Sequence, residues 1–337
     1  MSRPMRKTAN SATMLRLGAR HLAAVAVTLS LSALLNQYLA RRSEAKNTPS
    51  SCFLGVDGVQ LHYAEFGNGP PLVLLHGNGS MIEDFTSSGL VALAARSHRV
   101  IVFDRPGYGH STRPKGQVWD AAAQADLINS ALGQIGVEEA IVLGHSWGAS
   151  VAVALASRHP ETVRGLVLAS GYYYPTPRLD IMLTTGLAIP IVGDILRYTI
   201  LPLTSRLMWP LLMRKIFGPA PVPAKFSRFP VEMAVRPSQL RASAAESALL
   251  IPMAAAAAAN YSALAMPVVI VAGSEDRLIN PEMQSEKLHN ALPHSTYHCI
   301  LGSGHMVHQT NVIAVMQAVT EAFVLAEANT VNEQMAP

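Results

Sequence analysis

The chain has 337 residues, half of them hydrophobic and 14% charged, which excludes a disordered chain and allows one large α/β domain or two ordinary ones. Its net charge is +4, but residues 1–46 hold eight Lys and Arg against the single acid Glu44, a net of +7, so the remainder carries −3. A mildly acidic body offers no basic surface to a phosphate backbone, and nucleic acid is not expected as a partner.

The first predicted element is the apolar segment HLAAVAVTLSLSALLNQYLA at 21–40, with no formal charge between Arg20 and Arg41. Twenty helical residues rise about 30 Å, the thickness of a bilayer's hydrocarbon core. Residues 1–46 are therefore read as a basic tail with a single-pass membrane anchor. The excess of positive charge ahead of the span keeps the N-terminus cytoplasmic and sends the body out of the cytoplasm. A cleavable signal peptide, leaving a secreted or periplasmic protein, competes with this reading. However, the small residues Ser43 and Ala45 that would suit cleavage lie behind two arginines. An apolar helix packed on the body is a third reading.

Cys52 and Cys299 are too few and too far apart for a zinc site or a disulfide framework. Cys299, in TYHCIL, is expected to be a buried strand residue.

Next come CFLGV and VQLHYAEF, a predicted hairpin around Asp57-Gly58. PLVLLH, RVIVFD, EAIVLGH, RGLVLAS, PVVIVAG and TYHCIL follow, short runs suited to strands buried on both faces. Helices are predicted between them at 118–135, 147–158, 281–291 and 307–327. This alternation predicts an α/β fold with a mostly parallel sheet covered by helices on both faces. From 172 to 263 no strand-like run occurs while prolines recur, which predicts a helical cap inserted into a core of 52–171 and 264–330.

GHSWGAS, Gly144 to Ser150, stands where a predicted strand ends and a helix begins. A sharp strand-to-helix turn crowds the backbone, so small residues at Gly144 and Gly148 let the chain pass while Ser146 is held above the sheet edge. There its hydroxyl can attack a carbonyl, and the N–H of Trp147 points to the oxygen that becomes negative. Gly-x-Ser-x-Gly alone arises by chance in about one chain in ten of this length, so partners are needed. A serine hydroxyl requires a base and a group that orients the base. Asp276 in VAGSEDRLINP and His305 in LGSGHMVHQ both stand at predicted strand ends.

With HGNGS at His76–Ser80, FDRPGYGHS at Phe103–Ser111, GHSWG, GSEDRLINP and GSGHMVH, the chain from about residue 53 to 325 resembles the α/β-hydrolase superfamily. It looks most like cap-bearing bacterial hydrolases, some of which carry an N-terminal membrane segment. The second motif is similar to haloalkane dehalogenases and epoxide hydrolases, which use an aspartate where this chain has Ser146, so their chemistry is not carried over. The resemblance implies Ser146 as nucleophile, Asp276 as orienting acid and His305 as base, with the N–H groups of Asn78 and Trp147 as the oxyanion hole. Glu275 is the rival acid, and His298 and His308 are rival bases. Gly302 and Gly304 favour His305 by making a mobile loop.

The Asn78 side chain is a further candidate donor. His76 and Asp104 are expected to brace the loops, and Tyr172, Tyr173 and Tyr174 to line the pocket entrance. No His/Asp/Glu spacing suggests a metal, and serine chemistry needs no cofactor. The expected activity is hydrolysis of a carboxylic ester of an apolar small molecule or lipid, given the apolar stretches MLTTGLAIPIVGDIL and LPLTSRLMWPLLM. Carbon–carbon bond hydrolysis of ring-cleavage products and a non-catalytic ligand-binding role are the alternatives.

Overall fold

The computed structural model describes residues 8–49, 52–178 and 191–335. All eight apolar runs are strands: β1 (Cys52–Val56), β2 (Val59–Phe66), β3 (Pro71–Leu75), β4 (Arg99–Phe103), β5 (Ala140–His145), β6 (Val163–Ala169), β7 (Val268–Gly273) and β8 (Ser295–Ile300). They form one sheet in the order β1-β2-β4-β3-β5-β6-β7-β8. β1 and β2 are an antiparallel hairpin, and Asp57 and Gly58 both take positive φ, as a tight primed turn requires. β2 also runs antiparallel to β4, and every later pairing is parallel.

Strand alternation builds two cores. On β5, Ala140 and Val142 enter one cluster while Ile141 and Leu143 enter the other. The first is closed by helices α4 (Ala121–Gln134) and α5 (Trp147–Arg158), the second by α2 (Ile82–Ser88), α3 (Leu90–Ala94) and α9 (Val312–Met335). α4 begins where the Asp120 carboxylate accepts the Ala123 N–H at 2.8 Å, an N-cap. The short α2 and α3 lie in a stretch for which no helix was predicted. The 307–327 prediction is broken at Asn311, between the turn Val307–Thr310 and α9. Cys299 corrects another expectation: it is exposed, because β8 is the edge strand and its outer face is not covered.

Between β6 and β7 the described residues contain helices and no strand: α6 (Val192–Thr199), α7 (Leu201–Phe217), α8 (Pro237–Ala257) and shorter turns. Residues 179–190, with most of the MLTTGLAIPIVGDIL run, lie outside the described residues. Met213, Phe217, Phe226, Phe229 and Met233 of this segment pack with Met81 and Met306, which lie beyond the C-terminal ends of β3 and β8. The segment is thus seated over the strand ends where GHSWG, GSEDRLINP and GSGHMVH emerge.

Helix α1 (Thr8–Lys46) precedes the sheet. Its stretch Arg20–Lys46 is long and apolar enough to cross a membrane by length and composition, as are Pro237–Ala263 and Val312–Val331. The last packs Val315, Val319 and Ala322 into the second core.

Candidate active site

β5 delivers Ser146 into a turn where the serine itself carries the strain, at φ 54° and ψ −117°. The flanking glycines are needed for a different reason. A Cβ on Gly144 would run into the backbone of Gly148 and Ala149, and one on Gly148 into the carbonyls of Leu75 and His76. The Ser146 N–H donates to the Ala169 carbonyl at 2.8 Å, fixing the turn to β6.

Two other strand ends meet this turn. His305 Nδ1–H donates to Asp276 Oδ2 at 2.7 Å, and both side chains are buried, 4% and 1% exposed. Asp276 Oδ1 accepts the N–H groups of Leu278 (2.8 Å) and Ile279 (2.9 Å), so this carboxylate caps its own turn and orients the imidazole at once. With the proton on Nδ1, Nε2 is left as an acceptor.

The rival residues are placed elsewhere. Glu275 is exposed, His298 pairs with Glu321 on the edge strand, and His308 Nε2–H donates to Asp84 at 2.9 Å. The loop bearing His305 is tied to its neighbours through its backbone. The His305 N–H donates to the Ile216 carbonyl of α7 (3.0 Å), and its carbonyl accepts from His145 Nε2 (3.1 Å). Gly304 is required because a Cβ there would strike the carbonyls of Phe217 and Gly218.

The segment after β3 lies against the same turn: a Cβ built on Gly77 falls 3.1 Å from Ser146 Cβ. The backbone N–H groups of Asn78 and Trp147 donate no hydrogen bond among the described residues. The Asn78 side chain is otherwise engaged. Its Nδ2 donates to the Ser243 carbonyl (3.2 Å) and Ser247 Oγ (3.1 Å), and its Oδ1 accepts from Tyr108 (3.0 Å).

Ser146, His305, Asn78 and Gly77 line one cavity of about 350 Å³. Its other wall is the stripe Ser205, Met208, Trp209, Leu212, Met213 and Ile216 of α7, at helical spacing. Among the described residues, no Lys or Arg lines it. Tyr172 and Tyr173 do not line it, a correction to their expected place. They border a separate cavity with Met253 and Tyr261, and Gln284 Oε1 accepts the N–H groups of Tyr173 and Tyr174 (2.7 and 2.8 Å).

His76 and Asp104 brace the loops as expected. His76 Nδ1–H donates to the Gly77 carbonyl (2.8 Å) and Nε2 accepts the Arg105 N–H (3.0 Å). Burial and the nearby Arg105 charge lower its pKa to about 4, so it stays neutral. Asp104 accepts from His62, Ile82 N–H and His110 N–H.

Sequence reading missed a fully buried network behind this loop. The Arg105 guanidinium donates to the carbonyls of His76 (2.8 Å) and Gly77 (3.0 Å), to Gln124, and to the Glu246 carboxylate of α8, which also accepts from Tyr108 (2.7 Å). Arg105 lay in plain view inside FDRPGYGHS, whereas Glu246 in ASAAESALL carried no signal beyond being a lone acid among apolar residues. A second missed group is Asp84, His145 and His308, whose potential ligand atoms lie within 4.8 Å of one another and could hold a cation. Asp84 is instead satisfied by His308, Ser80 and Gln309. The His308 charge and hydrogen bond hold its carboxyl low despite burial.

A family model described as the alpha/beta hydrolase fold matches residues 70–312. The chain is 36% identical over 127 residues to a Pseudomonas 2-hydroxymuconate semialdehyde hydrolase, covering 36% of this chain and 45% of that protein. It is 28% identical over 120 residues to haloalkane dehalogenase 2 of Mycobacterium tuberculosis, covering 36% and 41%. The matches thus span less than half the length of these relatives. Among solved structures, a bacterial membrane phospholipase A superposes with a TM-score of 0.66 at 22% identity, covering 94% of this chain and 99% of that one. The family match extends over more than half the sequence and coincides with the eight-stranded sheet and its helices; the chain belongs to the α/β-hydrolase family.

Proposed function

We propose that the chain is a serine hydrolase that cleaves a carboxylic ester of an apolar small molecule or lipid through an acyl-enzyme on Ser146. The observation that carries this reading is that His305, buried and hydrogen-bonded to Asp276, lines the same largely apolar cavity as Ser146. His305 Nε2 takes the Ser146 proton as Oγ attacks the ester carbonyl, and Asp276 stabilises the imidazolium. The N–H groups of Asn78 and Trp147 receive the developing oxyanion. The imidazolium then protonates the leaving alcohol, and His305 activates a water that releases the acid. The helices between β6 and β7 act as the cap that excludes water, and residues 21–40 anchor the chain with its body outside the cytoplasm.

The relative named as a 2-hydroxymuconate semialdehyde hydrolase supports a second reading, cleavage of a carbon–carbon bond in a ring-cleavage product. Such a substrate carries carboxylate, and among the described residues the cavity lining offers no Lys or Arg to form an ion pair with it. The ester reading is therefore preferred.

A serine-reactive phosphonate should label Ser146 and fail to label Ser146→Ala. A panel of simple esters should be hydrolysed faster than a ring-cleavage product. The opposite ranking transfers the assignment to carbon–carbon hydrolysis, and an unlabelled, inactive wild type refutes both.

A further inference from the structure

Helix α1 is not a free tether. Residues 21–40 supply the length of a span, yet from Ser32 onward α1 is already bound to the segment between β6 and β7. Ser32 Oγ donates to the Thr199 carbonyl at 2.6 Å. Asn36 Nδ2 donates to the carbonyls of Tyr198 (3.0 Å) and Thr199 (2.8 Å), its Oδ1 accepts from Arg206 (3.3 Å), and the residue is only 1% exposed. Further along, Glu44 pairs with Arg236 at 2.7 Å. Two of the polar residues within the apolar run, Ser32 and Asn36, are thus satisfied by protein, as a bilayer demands. A helix carries what is bound to it. From Ser32 to residue 40 it rises about 12 Å, so a span ending there brings the junction of α6 and α7 below the membrane surface.

The side chains at that junction form an independent observation. Leu203, Leu207 and Leu211 of α7 follow one another at four-residue spacing and are 40%, 77% and 56% exposed; Ile195 of α6 and the joining Ile200 are exposed beside them. Such a contiguous apolar face marks an interaction surface. The neighbouring stripe of α7 lines the Ser146 cavity, and Met208 and Leu212 belong to both surfaces, lining the cavity while being about half exposed.

We propose that the face formed by Leu203, Leu207, Leu211, Ile195 and Ile200 is embedded among lipid acyl chains in the leaflet that α1 enters, and that an ester-bearing chain passes from the bilayer beside Met208 and Leu212 to Ser146. This rests on the reading of Ser146 as a nucleophile toward apolar esters. The occupant is lipid because the face is continuous with the docked part of the membrane helix.

The test uses the full chain in phosphatidylcholine vesicles. In a Cys52→Ser/Cys299→Ser background, a fluorophore on Leu207→Cys should be quenched by spin-labelled acyl chains, and one on Asp57→Cys in the β1–β2 turn should not. Leu207→Asp/Leu211→Asp, at positions outside the cavity lining, should keep hydrolysis of a water-soluble butyrate ester within about twofold, as surface changes do. Hydrolysis of a long-chain ester dissolved in the bilayer should fall about tenfold or more, since interfacial binding scales with buried apolar area. Lack of quenching at 207, cross-linking of two copies through 207 in its place, or equal effects on both esters overturns the proposal. A wild type that is quenched but hydrolyses neither ester refutes the Ser146 reading and leaves the embedding standing.

Discussion

The backbone N–H of His305 donates to the carbonyl of Ile216 at 3.0 Å, so the last turn of α7 holds the loop that carries the imidazole. The helical segment that walls the cavity and the residue assigned as base are therefore positioned by one contact. Gly304 makes it feasible by admitting the carbonyls of Phe217 and Gly218. Gly304→Ala should displace the imidazole and lower kcat by about 100-fold, the cost of a misplacement near 1 Å. Steady-state kinetics on a short ester, with circular dichroism to verify folding, provides the check; an unchanged kcat would show that the loop is not held in this way.

Ser146→Ala and His305→Ala should each remove nearly all hydrolysis while the fold persists, because members of one catalytic unit lose about as much singly as together. Asp276→Asn, which disturbs the hydrogen bond to His305 Nδ1, should cost on the order of 10⁴ in kcat. Glu275→Gln, at an exposed position, should be mild. Turnover of the four variants on one ester decides, and a severe Glu275→Gln beside a mild Asp276→Asn would reverse the assignment of the acid.

Arg105 and Glu246 are both 0% exposed, and removing one charge of a buried pair leaves the other uncompensated. Glu246→Gln should destabilise the protein by about 3–5 kcal/mol. It should also lower kcat more than it raises KM, since Arg105 holds the carbonyls of His76 and Gly77 next to the Asn78 N–H. Urea melts and kinetics on the folded fraction measure the two effects.

His76 is neutral in the native state because its pKa is lowered from 6.5 to about 4 by burial and then by the Arg105 charge. The unfolded chain binds a proton at this residue below about pH 6.5 that the native chain refuses. Its contribution to stability is therefore complete above pH 6.5 and is lost as pH falls toward 4, on the order of 3 kcal/mol. Tm measured from pH 7.5 to 4 should fall more steeply for the wild type than for His76→Asn.

An apolar cavity should stabilise the transition state of longer acyl chains by up to about 0.8 kcal/mol per buried CH₂, roughly a fourfold gain in rate per methylene. kcat/KM for acetate, butyrate, hexanoate and octanoate esters of one alcohol should rise until the cavity of about 350 Å³ is full. A steady decline from acetate would assign Met208, Leu212 and Met213 to packing alone.

The sequence by itself determined the strands and the order of the chemistry. Runs such as AIVL and VVIVA are too short and too rich in β-branched residues to be anything but buried strands, and Gly144 and Gly148 mark the turn that exposes Ser146. Asp276 and His305 were legible as candidates because each lies in the loop that follows a strand, three residues past β7 and five past β8. What only the tertiary structure decided involves partners distant in the chain. Glu246 meets Arg105 across 141 residues, His308 meets Asp84 across 224, and Asn36 meets Thr199 across 163. Neither member of such a pair alters local periodicity or turn chemistry, so nothing near it in sequence announces the other. Cys299 and Tyr173 were misplaced for a related reason. Whether a strand residue is covered depends on its strand's rank in the sheet, and which cavity a tyrosine borders depends on distant partners such as Gln284, which accepts the Tyr173 N–H across 111 residues. Both are set by how the elements pack, which side-chain type alone does not encode.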